Sequence, residues 1–386
     1  MQRFRVVRQG QGVSKVHICF LAPGTYPSLV KVPGVEVAGG AEIQQARLMR
    51  MLAADGYRVS LVSSDFGQGD PCDVDGIRVV TLPDSRRCGV KGLRWITPRL
   101  TDAYAALRRL APDWVYVRTA TAYLLPAAGY CRRSGARLIH ASAHDFDFMP
   151  GRNPLLTWRD EALFRWGTLG VDVHLVQNAR QADLLRRRRG RDGLVMPSLH
   201  IEPGAGRARF DGPILWVATI IPWKRPELLL ELARRMPDRR FVMIGGMGAA
   251  ADARTYHGQI ADQASRLPNL SFVGFVPPSE IGHHFDDSAL LVNTSVAEGF
   301  PNTFLQAWIR GMPSVSFVQP RAAEEPSVNL ACADLDAMHE MIGRLLSDEA
   351  RWAAIGANCR DHVKAHHSVQ ALIPRYRQLL DTPRTR

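Results

Sequence analysis

The sequence predicts an α/β protein of two doubly wound domains that face each other across a cleft. Apolar runs typical of buried strands alternate with helical patterns along the whole chain, which indicates parallel sheets with helices on both faces. The length of 386 residues is more than one hydrophobic core usually supports, so two domains are favoured. A polar, turn-rich segment at 206–212 separates two such alternations. Each half is therefore predicted to be Rossmann-like, with ligands at the carboxyl ends of the strands.

The composition is that of a globular protein, with 46% hydrophobic and 22% charged residues. No apolar run approaches the roughly 18 residues that a membrane helix needs. The basic start, residues 1–15, has no apolar core behind it and does not resemble a secretory signal. The six cysteines are scattered without a CxxC pair, which indicates free thiols in a reducing compartment. The sequence therefore predicts a cytoplasmic protein.

The net charge of +12 favours anionic partners, such as nucleotide phosphates, an anionic lipid surface or nucleic acid. The densest basic run, LLRRRRGRDG at 184–193, contains Arg186 to Arg189 and Arg191. It is either a solvated helix end or a patch that contacts membrane lipid or a lipid-linked acceptor on the cytoplasmic face of a membrane. No nucleic-acid-binding module accompanies it, so no nucleic-acid partner is expected.

In the first half, a strand is predicted at 15–23 and a helix at 39–57, where apolar residues recur at helical spacing. Further strands are predicted at 58–64, 113–119, 137–143 and 171–178. The second half repeats the pattern with a strand at 213–221, a helix at 225–236, and strands at 240–246, 270–276 and 289–295. Two helices, at 334–348 and 369–381, are predicted to close the chain.

This pattern divides the chain into four parts. They are a basic tail (1–15), an N-terminal Rossmann-like domain (16–205), a C-terminal Rossmann-like domain (206–365), and a last helix (366–386).

The stretch SVAEGFPNTFLQAW, residues 295–308, places Glu298 before a Gly-Phe-Pro turn and a helix. Pro301 suits the first turn of that helix, with Asn302 or Thr303 as its cap. The free N–H groups of a helix start can hold a phosphate, and a carboxylate beside them can accept hydrogen bonds from hydroxyls. Gln306 shares a face with Thr303. This arrangement suits a nucleotide-sugar. Alternatively, Glu298 only compensates the helix dipole and Gln306 is a surface residue.

Lys224 follows a predicted strand and stands at the entrance of the next helix, with Arg225 beside it. A compact ammonium there suits a diphosphate, although a solvated loop charge is the alternative. Gly39 and Gly40 precede a helix and could let the backbone approach a ligand. Gly246 lies at a glycine-rich strand end. Turn or packing roles explain these glycines equally well.

His144 and Asp145 follow the strand predicted at 137–143 and would project at its carboxyl end. A neutral histidine there could donate to a sugar hydroxyl, and Asp145 could act as a base or orient its neighbour. The alternative is a polar loop that satisfies its own backbone. The adjacent pairs His283–His284 and His366–His367 point different ways on a helix, so no metal site is predicted.

Taken together, these stretches resemble the family-4 retaining glycosyltransferases of the GT-B fold, also described as glycosyl transferases group 1. SVAEGFPNTFLQAWIRGMPSVSF at 295–317 is the most specific match, and the resemblance spans about residues 16–365. It implies metal-independent transfer of a hexose-type sugar, with retention of configuration and without a cofactor. The donor would be a nucleotide-diphosphate-sugar of UDP or GDP type. The acceptor would be a saccharide or lipid-linked saccharide, in surface polysaccharide synthesis.

The resemblance also implies that 16–205 is the acceptor-side domain, that 206–365 is the nucleotide-sugar donor domain, and that the last helix packs back on the first domain. It implies roles for individual residues as well. Glu298 would contact the transferred sugar, Lys224 would neutralise the diphosphate, and Gln306 would hold the ribose. His144 would lie near the reacting carbon. Backbone groups would complete the site: amides around Gly299, Phe300, Pro301, Asn302 and Thr303 at the phosphates, Gly274, Phe275 and Val276 at the base, and Gly39 and Gly40 on the acceptor side.

Two departures from the family pattern bear on activity. Gln306 stands where the family has a second glutamate, so the ribose would meet an uncharged amide. Ala218 and Thr219 stand where the family has Gly-Arg, which removes one phosphate cation and leaves Lys224, with Arg225 as a substitute. A non-catalytic GT-B protein that binds a nucleotide-sugar is therefore the alternative. An NAD-dependent oxidoreductase is disfavoured because no GxGxxG follows the first strand.

Overall fold

Two separate β-sheets, each flanked by helices, organise the molecule and confirm the predicted two-domain α/β fold. A computed structural model describes the chain over 16–35, 39–83, 96–149, 156–201, 206–248, 252–278, 280–318 and 328–383. The predicted basic tail at 1–15 lies outside the described residues.

The first sheet has the strand order β3-β4-β2-β1-β5-β6-β7-β8 within the described chain. Its strands are parallel except for β3, which forms an antiparallel hairpin with β4 that the sequence patterns did not predict. The central strand β1 lies between β2 and β5, with Ile18 opposite both Val59 and Trp114. The strands are β1 (His17–Leu21), β2 (Arg58–Ser64), β3 (Cys72–Val74), β4 (Ile77–Leu82), β5 (Trp114–Arg118), β6 (Arg137–Ala141), β7 (Val173–Val176) and β8 (Gly193–Val195).

The second sheet has the order β11-β10-β9-β12-β13-β14, and every described pairing in it is parallel. The order reverses between β9 and β12, which places a topological switch point at the carboxyl ends of these two strands. The strands are β9 (Ile214–Val217), β10 (Phe241–Ile244), β11 (Leu270–Gly274), β12 (Leu290–Asn293), β13 (Ser314–Ser316) and β14 (Asn329–Ala331).

Helices cover both faces of each sheet because the strands are buried on both sides and the helices supply apolar faces to cover them. In the first domain they are α1 (Tyr26–Leu29), α2 (Gly40–Ala54), α3 (Arg99–Leu110), α4 (Leu124–Ser134), α5 (Trp158–Thr168) and α6 (Ala179–Arg189). The remaining helices are α7 (Pro226–Arg235), α8 (Ala253–Ser265), α9 (Gly282–Asp286), α10 (Asn302–Ile309), α11 (Leu335–Leu345), α12 (Glu349–His367) and α13 (Val369–Leu380).

The last helix, α13, packs on the first domain although it follows the second domain in sequence. Its buried side chains Leu372, Tyr376 and Leu380 join the apolar cluster that includes α2 and β1. The Trp114 indole N–H donates to the carbonyl of Leu380 at 3.1 Å, and the Tyr57 hydroxyl donates to Asp381 at 2.8 Å. The chain thus joins its two domains twice, once near 206–212 and once between α12 and α13.

None of the helices described is both long enough and apolar enough to cross a membrane.

Candidate functional site

Glu298 and Lys224 form an ion pair at the switch point of the second sheet. The Lys224 ammonium contacts Oε1 of Glu298, although the two residues are 74 positions apart. Both side chains are largely shielded from water, with 18% of Lys224 and 10% of Glu298 exposed. The predicted sugar-binding acid and the predicted phosphate-binding cation therefore lie together and neutralise each other.

The end of β12 positions this pair through three consecutive polar residues. The Ser295 hydroxyl donates to Oε1 of Glu298 at 2.7 Å, and the Asn293 amide donates to the same oxygen at 3.4 Å. Between them, the Thr294 hydroxyl is 2.6 Å from the carbonyl of Lys224. Thr294 thus ties the 3₁₀ turn at Pro222–Lys224 to the strand end. These three polar residues form the end of the strand predicted at 289–295, and a polar end of an otherwise apolar strand is the signal that marks such positions.

The ionised form of Glu298 is favoured. Burial alone would raise its pKa, but the Lys224 charge and the hydrogen bonds from Lys224 and Ser295 outweigh that effect and hold the pKa below its usual range. The carboxylate therefore stays an acceptor at neutral pH. An acceptor-only group suits the hydroxyls of a sugar.

Helix α10 begins at Asn302, one or two residues before the start that a cap at Asn302 or Thr303 would give. Pro301 occupies the N-cap, Asn302 is the first helical residue, and no side chain caps the helix, so the predicted cap at Asn302 or Thr303 is wrong. The Asn302 side chain instead crosses to the first domain. Its amide donates to the carbonyl of Gly40 at 2.9 Å, and its oxygen accepts from Gln44 of α2 at 2.7 Å. The starts of α10 and α2 therefore face each other across the cleft.

Gly299 is the point at which the two domains approach most tightly in this region. A Cβ on Gly299 would lie 2.2 Å from the carbonyl oxygen of Ala143 and 2.1 Å from Oε1 of Gln177, both in the first domain. The Asn178 amide, at the cap of α6, donates to the carbonyl of Gly299 at 3.1 Å. Only glycine fits this contact.

His144 lies between the two domains, next to Glu298 in the cleft. Its Nδ1 accepts from the amide of Phe146 at 3.2 Å, so Nε2 carries the proton and lies 3.2 Å from the carbonyl oxygen of Ala297. A donor N–H of the first domain thus points at the backbone beside the predicted sugar-binding acid. That is where a histidine could donate to a bound sugar.

Asp147, which was not among the predicted site residues, holds the His144 loop in place. Its buried carboxylate accepts from the amides of Ala143 at 2.8 Å, Ala120 at 3.2 Å and His144 at 3.3 Å. Three backbone donors on one carboxylate fix the loop. No sequence pattern points to Asp147, because its partners come from two different strand ends.

Asp145 contacts the start of α6. Its buried carboxylate accepts from the Gln181 amide at 3.2 Å and pairs with Arg180 at 3.3 Å, rather than hydrogen-bonding to His144. Burial raises its pKa, against the opposing effects of Gln181 and Arg180. Asp145 therefore anchors the start of α6, and its role as a base or orienting group stays a prediction.

The other predicted donor-side positions gather at the carboxyl edge of the second sheet. Backbone bonds join the ends of β9, β10 and β11: Ile220 donates to Gly246 at 2.9 Å, and Gly245 donates to Gly274 at 2.9 Å. This edge includes Thr219, Gly246, Gly274, Phe275 and Val276, while Thr303 and Gln306 are half-buried on the first turns of α10.

Two predicted residues have side chains committed to packing. Phe300 is buried against Trp308 and His367, so only its backbone can serve a ligand. The Arg225 guanidinium donates from Nε to the carbonyl of Thr294 at 2.9 Å and lies 4.7 Å from the ring centre of Phe317. As a substitute phosphate cation, Arg225 would therefore have to use the terminal nitrogens of its guanidinium, which take no part in the bond to Thr294.

Within the described ranges, no group of three or more His, Cys, Asp or Glu side chains is arranged to hold a metal ion.

Comparison with protein families finds two matches. Residues 38–196 match the family described as Glycosyltransferase Family 4, and residues 212–348 match Glycosyl transferases group 1. No curated protein matches the chain significantly.

Solved structures show the same fold. Sucrose-phosphate synthase from Thermosynechococcus elongatus has a TM-score of 0.75 at 18% identity, covering 95% of this chain and 98% of its own. HepE from Anabaena, solved with UDP-glucose, has a TM-score of 0.71 at 16% identity, covering 95% and 99%. A TarM variant from S. aureus, solved with UDP and α-GlcNAc-glycerol, has a TM-score of 0.58 at 15% identity, covering 73% and 59%. At these identities the likeness shows the fold alone.

Proposed function

Because the chain belongs to the group 1 glycosyltransferases of the GT-B fold, we propose that it transfers a sugar from a nucleotide-diphosphate-sugar to a saccharide or lipid-linked saccharide. The observation that carries this proposal is the shielded Lys224–Glu298 pair beside the start of α10, with His144 across the cleft. Each of these four groups has a counterpart on a sugar diphosphate. The acid and the imidazole would bond to the sugar, and the cation and the helix start would bind the phosphates.

Donor binding would separate the ion pair. The diphosphate carries more negative charge than one carboxylate and would draw the Lys224 ammonium toward itself, with the N–H groups at the start of α10 completing its shell. Glu298 would then accept hydrogen bonds from the sugar hydroxyls, still held by Ser295 and Asn293. Gln306 would meet the ribose, and the backbone at 274–276 would meet the base.

The reaction step would proceed with retention of configuration at the transferred carbon. The acceptor hydroxyl attacks from the face that the diphosphate leaves, and the departing phosphate oxygen takes the hydroxyl proton. Lys224 and the helix start stabilise the charge that develops on the leaving diphosphate. His144 donates from Nε2 to the sugar near the reacting carbon. In this scheme these groups meet the phosphate charge without a metal ion, so activity should survive EDTA.

A uridine nucleotide is the first donor to test, since HepE was solved with UDP-glucose and TarM with UDP. Thermal-shift measurements with UDP-glucose, UDP-GlcNAc and GDP-mannose would separate UDP from GDP donors. A rise in melting temperature with GDP-mannose alone would reverse the choice of UDP and leave the transferase proposal standing.

The central test is Glu298→Gln, which keeps the shape of the side chain and removes its charge. We expect turnover of the identified donor to fall by about 100-fold, the order found when one transition-state contact is lost. Glu340→Gln, at an exposed carboxylate paired with Arg344, is the matched control and should keep full activity. Wild-type turnover in Glu298→Gln would refute the assignment.

A non-catalytic nucleotide-sugar-binding protein is the second candidate. It is favoured by Thr219 in place of the family arginine and by the packing contacts of Arg225. One measurement distinguishes the two candidate functions. If the purified protein binds a donor but neither hydrolyses nor transfers its sugar, the non-catalytic function is supported.

We further propose a cytoplasmic location and a role in surface polysaccharide synthesis. The five described cysteines are free thiols, and Cys88 lies outside the described residues. The basic run at 184–193 is only in part available for a membrane, because Arg186 pairs with Asp192 and Arg187 with Asp183.

A further inference from the structure

Helix α5 carries an exposed apolar stripe on the surface of the first domain. Trp158 and Trp166 of the helix and its C-cap residue Leu169 are 75%, 72% and 76% exposed, and we call them the α5 stripe. Their spacing of eight and three residues places them within one quadrant of the helix surface. The opposite side of α5 is also apolar and is buried through Phe164. When a surface helix is apolar on two sides, its own domain covers one side and the other side stays exposed to water unless a partner covers it.

A cavity of about 460 Å³ opens beside this stripe, between α5 and α6. Its volume lies within the range of small-molecule sites. Its inner wall includes His140, His174 and Phe164, and Trp166 and Leu169 of the stripe line its edge. Burial holds both imidazoles neutral, with the pKa of His140 lowered to about 3 and that of His174 to about 4. The positive charge of the cavity therefore comes from arginines.

Three arginines line the cavity: Arg165 from α5, Arg189 from the end of α6, and Arg191 just beyond it. We call them the arginine trio. Over the part of the chain that the structure describes, none of the three forms an ion pair, although Glu161 lies near Arg189 and the buried Asp147 also lines the cavity. Arg189 lies half-buried over the ring of Phe164, 5.8 Å from its centre. Burial and the neighbouring Arg165 lower the pKa of Arg189, whereas Glu161 opposes that shift. An anion placed among the trio would relieve this repulsion.

We propose that the α5 stripe and the arginine trio together form a docking surface for an anionic lipid membrane. Tryptophan favours the boundary between lipid tails and water, and basic residues beside it attract the phosphates of anionic lipids. The cavity takes a lipid phosphate between the trio while the stripe enters the headgroup layer. This proposal goes beyond sugar transfer and does not depend on it.

Charge complementarity selects lipid over a second copy of the chain. Pairing this face with itself would bring two unpaired arginine trios together, on a chain that already carries a net charge of +12. An anionic bilayer supplies both phosphates for the trio and an apolar layer for the stripe. The structure also shows which arginines of the basic run at 184–193 belong to this surface. The members of that run that face the cavity are Arg189 and Arg191, whereas Arg186 and Arg187 have carboxylate partners.

The test is co-sedimentation of the full chain with vesicles of phosphatidylcholine, with and without phosphatidylglycerol. We expect binding to the anionic vesicles, a blue shift of tryptophan emission, and weakening by salt. Replacing Arg165, Arg189 and Arg191 together by glutamine should weaken binding by about 100-fold, from roughly fivefold for each basic residue. Trp158→Ala with Trp166→Ala should remove the blue shift.

The matched control replaces Arg234, Arg235 and Arg344 by glutamine. These exposed arginines of the second domain are already paired, and their loss changes the net charge equally. Equal vesicle binding by the two triple variants would overturn the proposal, because net charge alone would then explain the attraction. Two other results would also overturn it: thermal stabilisation by inorganic phosphate without vesicle binding, or a dimer that the tryptophan substitutions convert to monomer. Circular dichroism would confirm that each variant is folded.

Discussion

The Lys224 ammonium and the Glu298 carboxylate are ionic partners, and the proposed function requires a bound donor to separate them. The carboxylate also accepts from Ser295 and Asn293, so it retains neutral donors when Lys224 moves away. Lys224 has no comparable second anion among its described contacts. The mobile member of the pair is therefore the lysine, which has a flexible stem, and the fixed member is the acid.

Asp147 is expected to be a positioning residue for His144. In Asp147→Asn, one oxygen becomes an amide N–H₂ that faces backbone donors, so a buried hydrogen bond is lost. The free energy of unfolding should fall by about 2 kcal/mol, and turnover should fall because the His144 loop shifts. Denaturant unfolding and donor turnover measure the two effects.

Asp183→Asn, at an exposed carboxylate paired with Arg187, serves as its control and should leave both quantities unchanged. Turnover at the wild-type level in Asp147→Asn, with stability reduced, would show that Asp147 supports the fold without positioning His144.

His17 should make the protein less stable in mild acid. Burial, assisted by Arg58, lowers its pKa from 6.5 to about 4, against the opposing effect of Asp113. Below pH 6.5 the unfolded chain takes up a proton that the folded chain refuses, so stability is fully present above pH 6.5 and declines as the pH falls toward 4. In His17→Gln, the loss of unfolding free energy between pH 7 and pH 5 should be smaller by about 2 kcal/mol. Identical losses in both proteins would contradict the assignment.

Helix α10 presents its N-terminal end to the cleft, whereas helix α13 packs an apolar face on the first domain. The start of α10 has no side-chain cap, which leaves its N–H groups available at the cleft. Its other end is closed by Gly311, whose φ of +73° suits only glycine well. Helix α13 offers no ligand group to the described site, and its contribution is the apolar face that covers the first domain.

Removing the α13 contact should destabilise the first domain. Leu372 is fully buried among residues of that domain, so Leu372→Ala should lower the free energy of unfolding by about 2–5 kcal/mol. Gln378→Ala, at an exposed position of the same helix, is the control and should change stability little. Urea unfolding of both variants measures the difference, and equal stabilities would show that α13 is not docked through Leu372.

At the scale of the whole molecule, the site exists only when the two domains are close. His144 reaches Ala297, Asn178 reaches Gly299, and Asn302 reaches Gly40, and each bond joins one domain to the other. The site is therefore assembled by domain closure as much as by either domain alone.

Gly299→Ala should hold the domains apart, because its new methyl group would occupy the space of the Ala143 carbonyl. We expect a larger radius of gyration by small-angle X-ray scattering and weaker donor turnover. Gly343→Ala is the control, since a Cβ there meets open space on α11. An unchanged radius of gyration in Gly299→Ala would contradict closure through this contact.

The sequence alone determined the fold class and the stretch that carries the site. Strand and helix periods are local properties, so the alternation of elements and the run from Glu298 to Gln306 could be recognised directly. The tertiary structure decided which polar groups meet. It paired Lys224 with Glu298 across 74 residues, fixed the His144 loop through the carboxylate of Asp147, and placed Arg189 and Arg191 beside α5. Such contacts depend on the relative placement of strand ends and domains, which no local pattern encodes.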